Sequence, residues 1–371
     1  MIDYSNNLLY IKLIKEEVNG VINMISIADI AELAGVSVTT VSLALNNKKG
    51  IGKKTKERIL QIAEENNYKP IRMSKAKKEA MKEDQHKEKL NLKFIVAINN
   101  EVVNTNFRTQ PFFSSLVNTL VQDSNTDQFN IVIAAADSND LTKELASYNQ
   151  VDDVDGLIIL ATDLSNKVLT DLVDRTDKPL LFLDATNQLL DANFIGINNE
   201  QGIYLALSHL VAHGHQTIGY VMSENRINNF NERLLAFEKH SVNLGLNFNL
   251  KDSILSSPNT IEAQEEVKKQ LADLDHMPEA FLCENDVIAI SFIKTLTQMG
   301  YRVPEDISVI GFDNIREGSV ITPELTTIEV NQGLIVETAV NQLISIIENK
   351  SSTQHIYINC KLVGRNSVKQ K

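Results

Sequence analysis

Residues 26–46 read SIADIAELAGVSVTTVSLALN, and their spacing decides the fold at the head of this chain. Ser26 stands three residues before Asp29, a capping-box-like start, and Ile27, Ile30, Ala31 and Ala34 recur at helical spacing along one face. Gly35 ends that helix. Ser37 is a fresh N-cap, and Val36 before it is placed to pack on Val41, a hydrophobic staple that sets the angle between the helices. The second helix turns Val41, Ala44 and Leu45 inward, while Val38, Thr39, Ser42, Leu43 and Asn46 form an outer face that is short, uncharged and rich in hydroxyls. Two capped helices around a tight turn make a helix-turn-helix, whose second helix is suited to enter a DNA major groove by its N-terminal end and to touch phosphates. An ordinary helical hairpin is the alternative, and the spacing favours it less.

The pattern A-x-x-A-G-V-S-x-x-T-V-S-x-x-L-N, carried by Ala31, Ala34, Gly35, Val36, Ser37, Thr40, Val41, Ser42, Leu45 and Asn46, resembles the LacI/GalR family of bacterial repressors. A third helix from Lys54 to about Asn66 turns Ile59, Ile62 and Ala63 inward, and Tyr68-Lys69-Pro70 closes it as the family's Tyr-x-Pro does. The resemblance implies that Val38, Thr39 and Leu43 face base edges, and that Ser37, Thr40, Ser42, Asn46 and Thr55 hold phosphates. Lys53 and Lys54 would add sequence-independent attraction. Relatives usually carry a longer, polar residue where Leu43 stands. A leucine reads by apolar contact, for example with a thymine methyl, so the preferred operator should differ from theirs.

The chain has 371 residues, 43% of them hydrophobic, enough for a sizeable core and more than one domain. Its net charge of −12 argues against nucleic acid only until it is divided: residues 24–93 hold 15 Lys and Arg against 9 Asp and Glu, a net +6, which leaves −18 elsewhere. A basic head on an acidic body confines DNA contact to the head and makes binding fall steeply with salt. Cys283 and Cys360 show neither metal-ligand spacing nor a disulfide framework, and read as reduced thiols. No apolar run approaches about 18 residues and no signal peptide is visible, so no membrane partner and a cytoplasmic location are expected. Residues 1–23 precede the family pattern and read as an N-terminal extension, either a start-site artefact or a disordered tail.

The head is therefore assigned to residues 24–70 and a Lys- and Glu-rich linker to 71–93. The family places a hinge helix here, in which a leucine after an Ala-Arg-x pattern wedges into the minor groove. Ser74, Lys75 and Lys77 occupy those Ala, Arg and Leu positions, and the linker is longer than the family norm. Lys77 cannot act as an apolar wedge, although Lys75 and Lys77 can attract phosphates, so little kinking of the DNA is expected.

From Phe94 onward, buried strands alternate with amphipathic helices: FIVAI (94–98), NIVIAA (130–135), GLIIL (156–160), PLLFL (179–183), TIGYV (217–221), EAFLC (279–283) and ISVIGF (307–312). The fold class is α/β, with a three-helix helix-turn-helix head and βαβ units around parallel sheets. The resemblance implies a periplasmic-binding-protein-like, two-lobed effector-binding and dimerisation domain over 94–371. Lobe one would take 94–197 and 330–352, and lobe two 198–329 and 353–371. VPEDISVIGFD (303–313) followed by PELTT (323–327) is the strongest family mark outside the head, and the resemblance spans nearly all of 25–366.

Open α/β sheets bind ligands at the carboxyl ends of their strands, where several short motifs fall. Phe112 and Phe113, in QPFF after the first strand, offer an aromatic face, and either one fits a helix-face core position equally well. Asp184 and Asp313 each end a buried strand and can accept hydrogen bonds from neighbouring hydroxyls. Arg233 supplies a fork and Asn285 both a donor and an acceptor, whereas Asp286 reads as a helix start. His209, His213 and His215 suggest metal at first sight, but a helix end capped at Gly214 accounts for them better, so neither metal nor cofactor is expected.

The function that follows is a ligand-responsive repressor of a carbohydrate-use operon, a homodimer or tetramer on a near-palindromic operator, with a sugar or sugar phosphate as effector. A purine corepressor or a phosphorylated protein partner is the alternative within the same family. A Rossmann enzyme lacks its G-x-G-x-x-G after the first strand, and no nucleophile–base arrangement stands out. A pure solute-binding module is opposed by the head.

Overall fold

The computed structural model describes residues 27–45, 51–66, 89–99, 102–103, 105–123, 128–149 and 153–371, in two compact units divided between residues 87 and 88. Ser26, Asn46, Lys75, Lys77, the 68–70 segment and the N-terminal extension lie outside the described residues.

In the head, α1 (Ile27–Ala34), α2 (Val38–Leu45) and α3 (Lys53–Glu65) enclose a core of Ile30, Ala31, Ala34, Val41, Ala44, Ile59 and Ala63. Helix α1 ends because Gly35 takes φ +60°, which lets Gly35 N donate to Glu32 O (3.1 Å) and Val36 N to Ala31 O (3.0 Å). Ser37 then caps α2, its Oγ accepting from Thr40 N at 3.2 Å. Val36 packs against the core to which Val41 belongs, and Leu45 is only half-buried. Helix α3 begins one residue before the expected Lys54.

The body holds two six-stranded sheets. The first, entirely parallel, runs in the order β2 (Phe129–Asp137), β1 (Leu90–Ile98), β3 (Gly156–Leu160), β4 (Leu180–Leu183), β5 (Asn193–Ile197), β11 (His355–Ile358). The second runs β7 (Ile254–Ser256), β6 (Ile218–Ser223), β8 (Ala280–Cys283), β9 (Ser308–Asp313), β10 (Thr326–Glu329), β12 (Lys361–Val363), with only β12 antiparallel. Central β3 is buried at every residue, as covering both faces demands, while edge strand β2 is exposed at Asn130, Val132, Ala135 and Asp137. Helices α4 (Pro111–Asp123), α5 (Leu141–Tyr148), α6 (Asn166–Arg175) and α11 (Gln332–Ile347) accompany the first sheet. Helices α7 (Asn199–Ala212), α8 (Asn228–Asn243), α9 (Glu265–Ala272) and α10 (Asp286–Gln298) accompany the second.

Two boundaries differ from the sequence reading. Strand β1 starts at Leu90, because buried Leu92 extends the pairing with β2 down to Leu90 opposite Phe129, so the linker ends before residue 93. The chain passes between lobes at Asn198, at 330–331 and at Asn359–Cys360. The last crossing comes later than the expected Ser352, since His355 to Ile358 pair with Phe194 to Ile197 and keep that segment in lobe one. Asn198 and Asn331 each cap the helix beyond their crossing, accepting from Gln201 N and Leu334 N. Asn198 Nδ2 also reaches Asn359 Oδ1 at 2.9 Å, tying the first crossing to the third.

Behind the cleft, buried Asp286 accepts from Ile315 N (2.8 Å) and Thr327 Oγ1 (2.5 Å), fixing the loop after β9. It fits only because residue 311 is glycine: a Cβ there would stand 2.1 Å from Asp286 Oδ1 and 2.9 Å from Leu325 Cδ2. Gly311→Ala should therefore lower the unfolding free energy by about 2–3 kcal/mol in a urea titration. A loss below about 0.5 kcal/mol would mean that Asp286 moves aside freely.

Candidate functional site

The parallel strands of both sheets end at one cleft, which holds a cavity of about 410 Å³. All six side chains singled out from the sequence, Phe112, Phe113, Asp184, Arg233, Asn285 and Asp313, line it. Asp184 leaves β4 at φ 57° and Asp313 ends β9 at φ 112°. These are left-handed conformations that a side chain with a Cβ adopts only under constraint, and the strain turns both carboxylates out of their strands.

Asp184 accepts from Thr162 Oγ1 at 2.6 Å and from Asn229 Nδ2 at 2.9 Å. Arg233 lies flat on Phe312, 3.7 Å from the ring centre, and its Nη2 is 3.6 Å from Asp313 Oδ1. Its Nε donates to Asn199 Oδ1 at 2.9 Å and its Nη1 to the Glu284 carbonyl. Asn285 proves to be the N-cap of α10, its Oδ1 accepting from Ile288 N at 2.8 Å. That corrects the expectation of a free donor and acceptor: the cap engages the oxygen, and the amide group is what Asn285 can offer a ligand. Asp286 is the first residue of α10, as its reading as a helix start expects, and its side chain also holds the Ile315 loop. Phe112 is half-buried, with Phe113 edge-on to it at 5.4 Å, and Phe113 belongs both to the cavity wall and to the core.

Thr162, Asn199, Asn229 and Phe230 went unread. Thr162 and Asn229 approach Asp184 from different sheets, and Asn199 reaches Arg233 from the start of α7, so no local pattern marks them. The run NNF at 228–230, three residues before the recognised Arg233, was the one available signal.

In the head, Val38 and Thr39 are exposed at the start of α2, and Thr40, Ser42 and Leu43 are half-buried. Ser37 Oγ and Thr40 Oγ1 lie 2.8 Å apart, so these two hydroxyls are partly engaged with each other. Of the first-turn N–H groups of α2, that of Thr40 is taken by Ser37 Oγ, which leaves those of Val38 and Thr39 at the helix end. Lys53 and Lys54 are exposed and Thr55 half-buried at the start of α3.

Among the described residues, no group of three or more His, Cys, Asp or Glu is placed to hold a metal, and no helix is long and apolar enough to cross a membrane. His213 caps α7, and Gly214 at φ 85° follows it.

Residues 26–70 match the family described as bacterial regulatory proteins, lacI family, and residues 207–368 match a periplasmic binding protein-like domain. The chain belongs to the LacI/GalR family. LacI-family relatives include the HTH-type transcriptional repressor PurR of Photobacterium profundum, 28% identical over 93% of this chain and 99% of its own length. That of Aliivibrio fischeri strain ES114 is 29% identical over 94% and 99%. The fold is that of the Lac repressor dimer bound to operator and the anti-inducer ONPF, with TM-score 0.65 and 23% identity over 94% of this chain and all of that one. It is also that of the transcriptional regulator CelR–cellobiose complex, with TM-score 0.65 and 20% identity over 92% and 99%. A LacI-family regulator of Enterococcus faecium with bound ribose aligns over 75% of this chain and 99% of its own, with TM-score 0.61 and 24% identity. As a family member the chain is a ligand-responsive, DNA-binding transcriptional regulator.

Burial raises Asp184 to about 6 against the opposing hydrogen bond from Thr162 and the charge of Arg233, and raises Asp313 to about 7 against Arg233. The folded protein thus holds protons on these groups more tightly than the unfolded chain does. Their contribution to stability is complete below about pH 4 and is lost as the pH rises through about 7. Asp313→Asn should flatten the fall in the melting midpoint between pH 4 and 7, measured by thermal denaturation. An unchanged pH profile would contradict the burial of that charge.

Proposed function

We propose that the cleft binds a neutral, polyhydroxylated effector, a free sugar, and that this ligand controls repression of a carbohydrate-use operon. The observation that carries this reading is the charge inventory of the cavity. Asp184 and Asp313 are aimed inward, and Arg233, the one cation among the described lining residues, is already engaged by Asn199, the Glu284 carbonyl and Asp313. Carboxylates accept paired hydrogen bonds from adjacent hydroxyls. A phosphate would meet the carboxyl groups of Asp184, Asp313 and Glu317 and no uncommitted cation, which sets sugar phosphates aside.

The protein acts as a homodimer on a near-palindromic operator, with no catalytic step, in the cytoplasm. Val38, Thr39 and Leu43 read base edges, while Ser37, Thr40, Ser42, Thr55, Lys53 and Lys54 hold the backbone. Effector binding selects one arrangement of the two lobes and shifts the equilibrium by its difference in affinity for the two states. A purine corepressor is the second reading, favoured by the PurR relatives and by Phe112 and Phe230 in the cavity wall.

Thermal-shift titration of the full chain with ribose, glucose, glucose 6-phosphate and hypoxanthine separates these classes. A free sugar should raise the melting midpoint of the wild type, and Arg233→Ala or Asp313→Ala should abolish that rise. A response to hypoxanthine alone would favour the purine reading, and a response to the phosphate alone would overturn the charge argument. In the head, Thr39→Ala and Leu43→Ala should each reduce preference for the cognate operator about tenfold or more. Lys53→Ala should instead weaken operator and random DNA alike. Equal losses on both DNAs for Thr39→Ala would remove it from the base-reading face.

A further inference from the structure

Beside the first crossing the lobes are already bridged by Asn229 to Asp184 and by Thr186 to Asn228 and Glu232, and a separate pair, Gln110 and Asn259, joins them through their loops. Gln110 immediately precedes α4 in lobe one, and Asn259 lies between β7 and α9 in lobe two. Gln110 Nε2 donates to Asn259 Oδ1 at 2.8 Å and to the Val102 carbonyl at 2.7 Å. A carbonyl can only accept, so the Val102 contact fixes which end of the Gln110 amide is nitrogen, and both of its N–H groups are then used. We infer that Gln110 and Asn259 form a latch that holds the lobes together across the mouth of the cleft and sets the balance between its closed and open states.

Both halves of the latch rest on rigid supports. On lobe one, Val102 N and Val103 N donate to Asp163 Oδ2 at 3.0 and 2.6 Å, and Asp163 follows Thr162, whose hydroxyl is bonded to Asp184. On lobe two, Gln264 ties down the loop carrying Asn259. Its Oε1 accepts from Ser257 N at 3.0 Å, and its Nε2 donates to Ser256 Oγ at 2.9 Å and Ser291 Oγ at 2.8 Å. A hydrogen bond between two anchored loops resists separation of the bodies behind them, whereas one between floppy loops would only follow their motion.

The latch is also weak enough to open. It is a neutral pair, and Gln110 Oε1 is buried with no partner among the described residues. Separation of the lobes would return that oxygen to water, which offsets part of what the two donated bonds contribute. Such near-balance is what a ligand with a modest difference in affinity needs in order to shift a two-state equilibrium. A link to the ligand through Thr162 and Asp163 rests on the effector reading above. The latch itself does not.

Hydrogen–deuterium exchange on the full chain with no added ligand tests it, comparing wild type with Gln110→Met, Asn259→Ala and the double variant. Gln110→Met keeps the volume and removes the donors. Each single change should speed exchange about threefold to tenfold in both 102–113 and 254–264, the size expected for loss of one neutral hydrogen bond. The double variant should go no further than Gln110→Met, which already removes the contact to Asn259 together with the bond to the Val102 carbonyl. If Gln110→Met fails to fold, faster exchange in 102–113 on Asn259→Ala decides the question alone. Exchange that rises only in the mutated residue's own segment, or effects that multiply in the double variant, would overturn the latch.

Discussion

Arg233 carries a positive charge into a place that water does not reach, so the chain itself has to supply every acceptor around it. Those acceptors come from segments far apart in sequence: Asn199 at the start of α7, the Glu284 carbonyl after β8, Asp313 at the end of β9, with Phe312 beneath the guanidinium plane. A single side chain on α8 therefore requires that the first crossing and two strand ends of lobe two converge. The crossing is constrained again from its other side, since Asn199 Nδ2 donates both to Asn229 and to Glu232, and Glu232 Oε1 accepts from Thr186 of lobe one at 2.5 Å. The polar interior of the cleft is one connected network in which an unpaired member would leave a buried charge uncompensated.

The carboxylates that face Arg233 are held under two kinds of tension. Their backbones lie in a region that L-residues avoid, and burial favours their protonated forms. Neither condition adds to stability. In the effector reading proposed above, hydroxyls of the ligand would add to the bonds that Asp184 takes from Thr162 and Asn229 and would offset part of that cost. The constraint is local, because strands β4 and β9 behind the two residues are almost entirely buried.

Head and body divide the work by charge as well as by shape. Residues 24–93 are basic and the rest of the chain acidic, and in the reading proposed above the short hydroxylated and apolar side chains of α2 face the DNA while the acidic body is repelled by the same phosphates. The head's core is small, seven buried side chains, all Ile, Val or Ala, and so it depends on local signals: a staple, a cap and one positive-φ glycine.

That dependence explains what could be read directly from the sequence. The three head helices, the buried strands and the fold class are written in periods, caps and apolar runs, because short-range backbone preferences and burial of one face decide them. The residues at the strand ends were legible for the same reason: Asp184, Asn285 and Asp313 each follow an apolar run that has to stop where the sheet stops. The ends of the shortest strands were less legible. His355 to Ile358 became a strand only because the edge of β5 offered its unpaired backbone groups, which moved the third crossing past Ser352. Tertiary structure alone decided that Thr162 and Asn229 meet at Asp184, and that Gln110 reaches Asn259. Each of these contacts joins side chains whose separation in space is set by how the sheets pack and where the chain crosses between them, and no local preference of either residue encodes that distance.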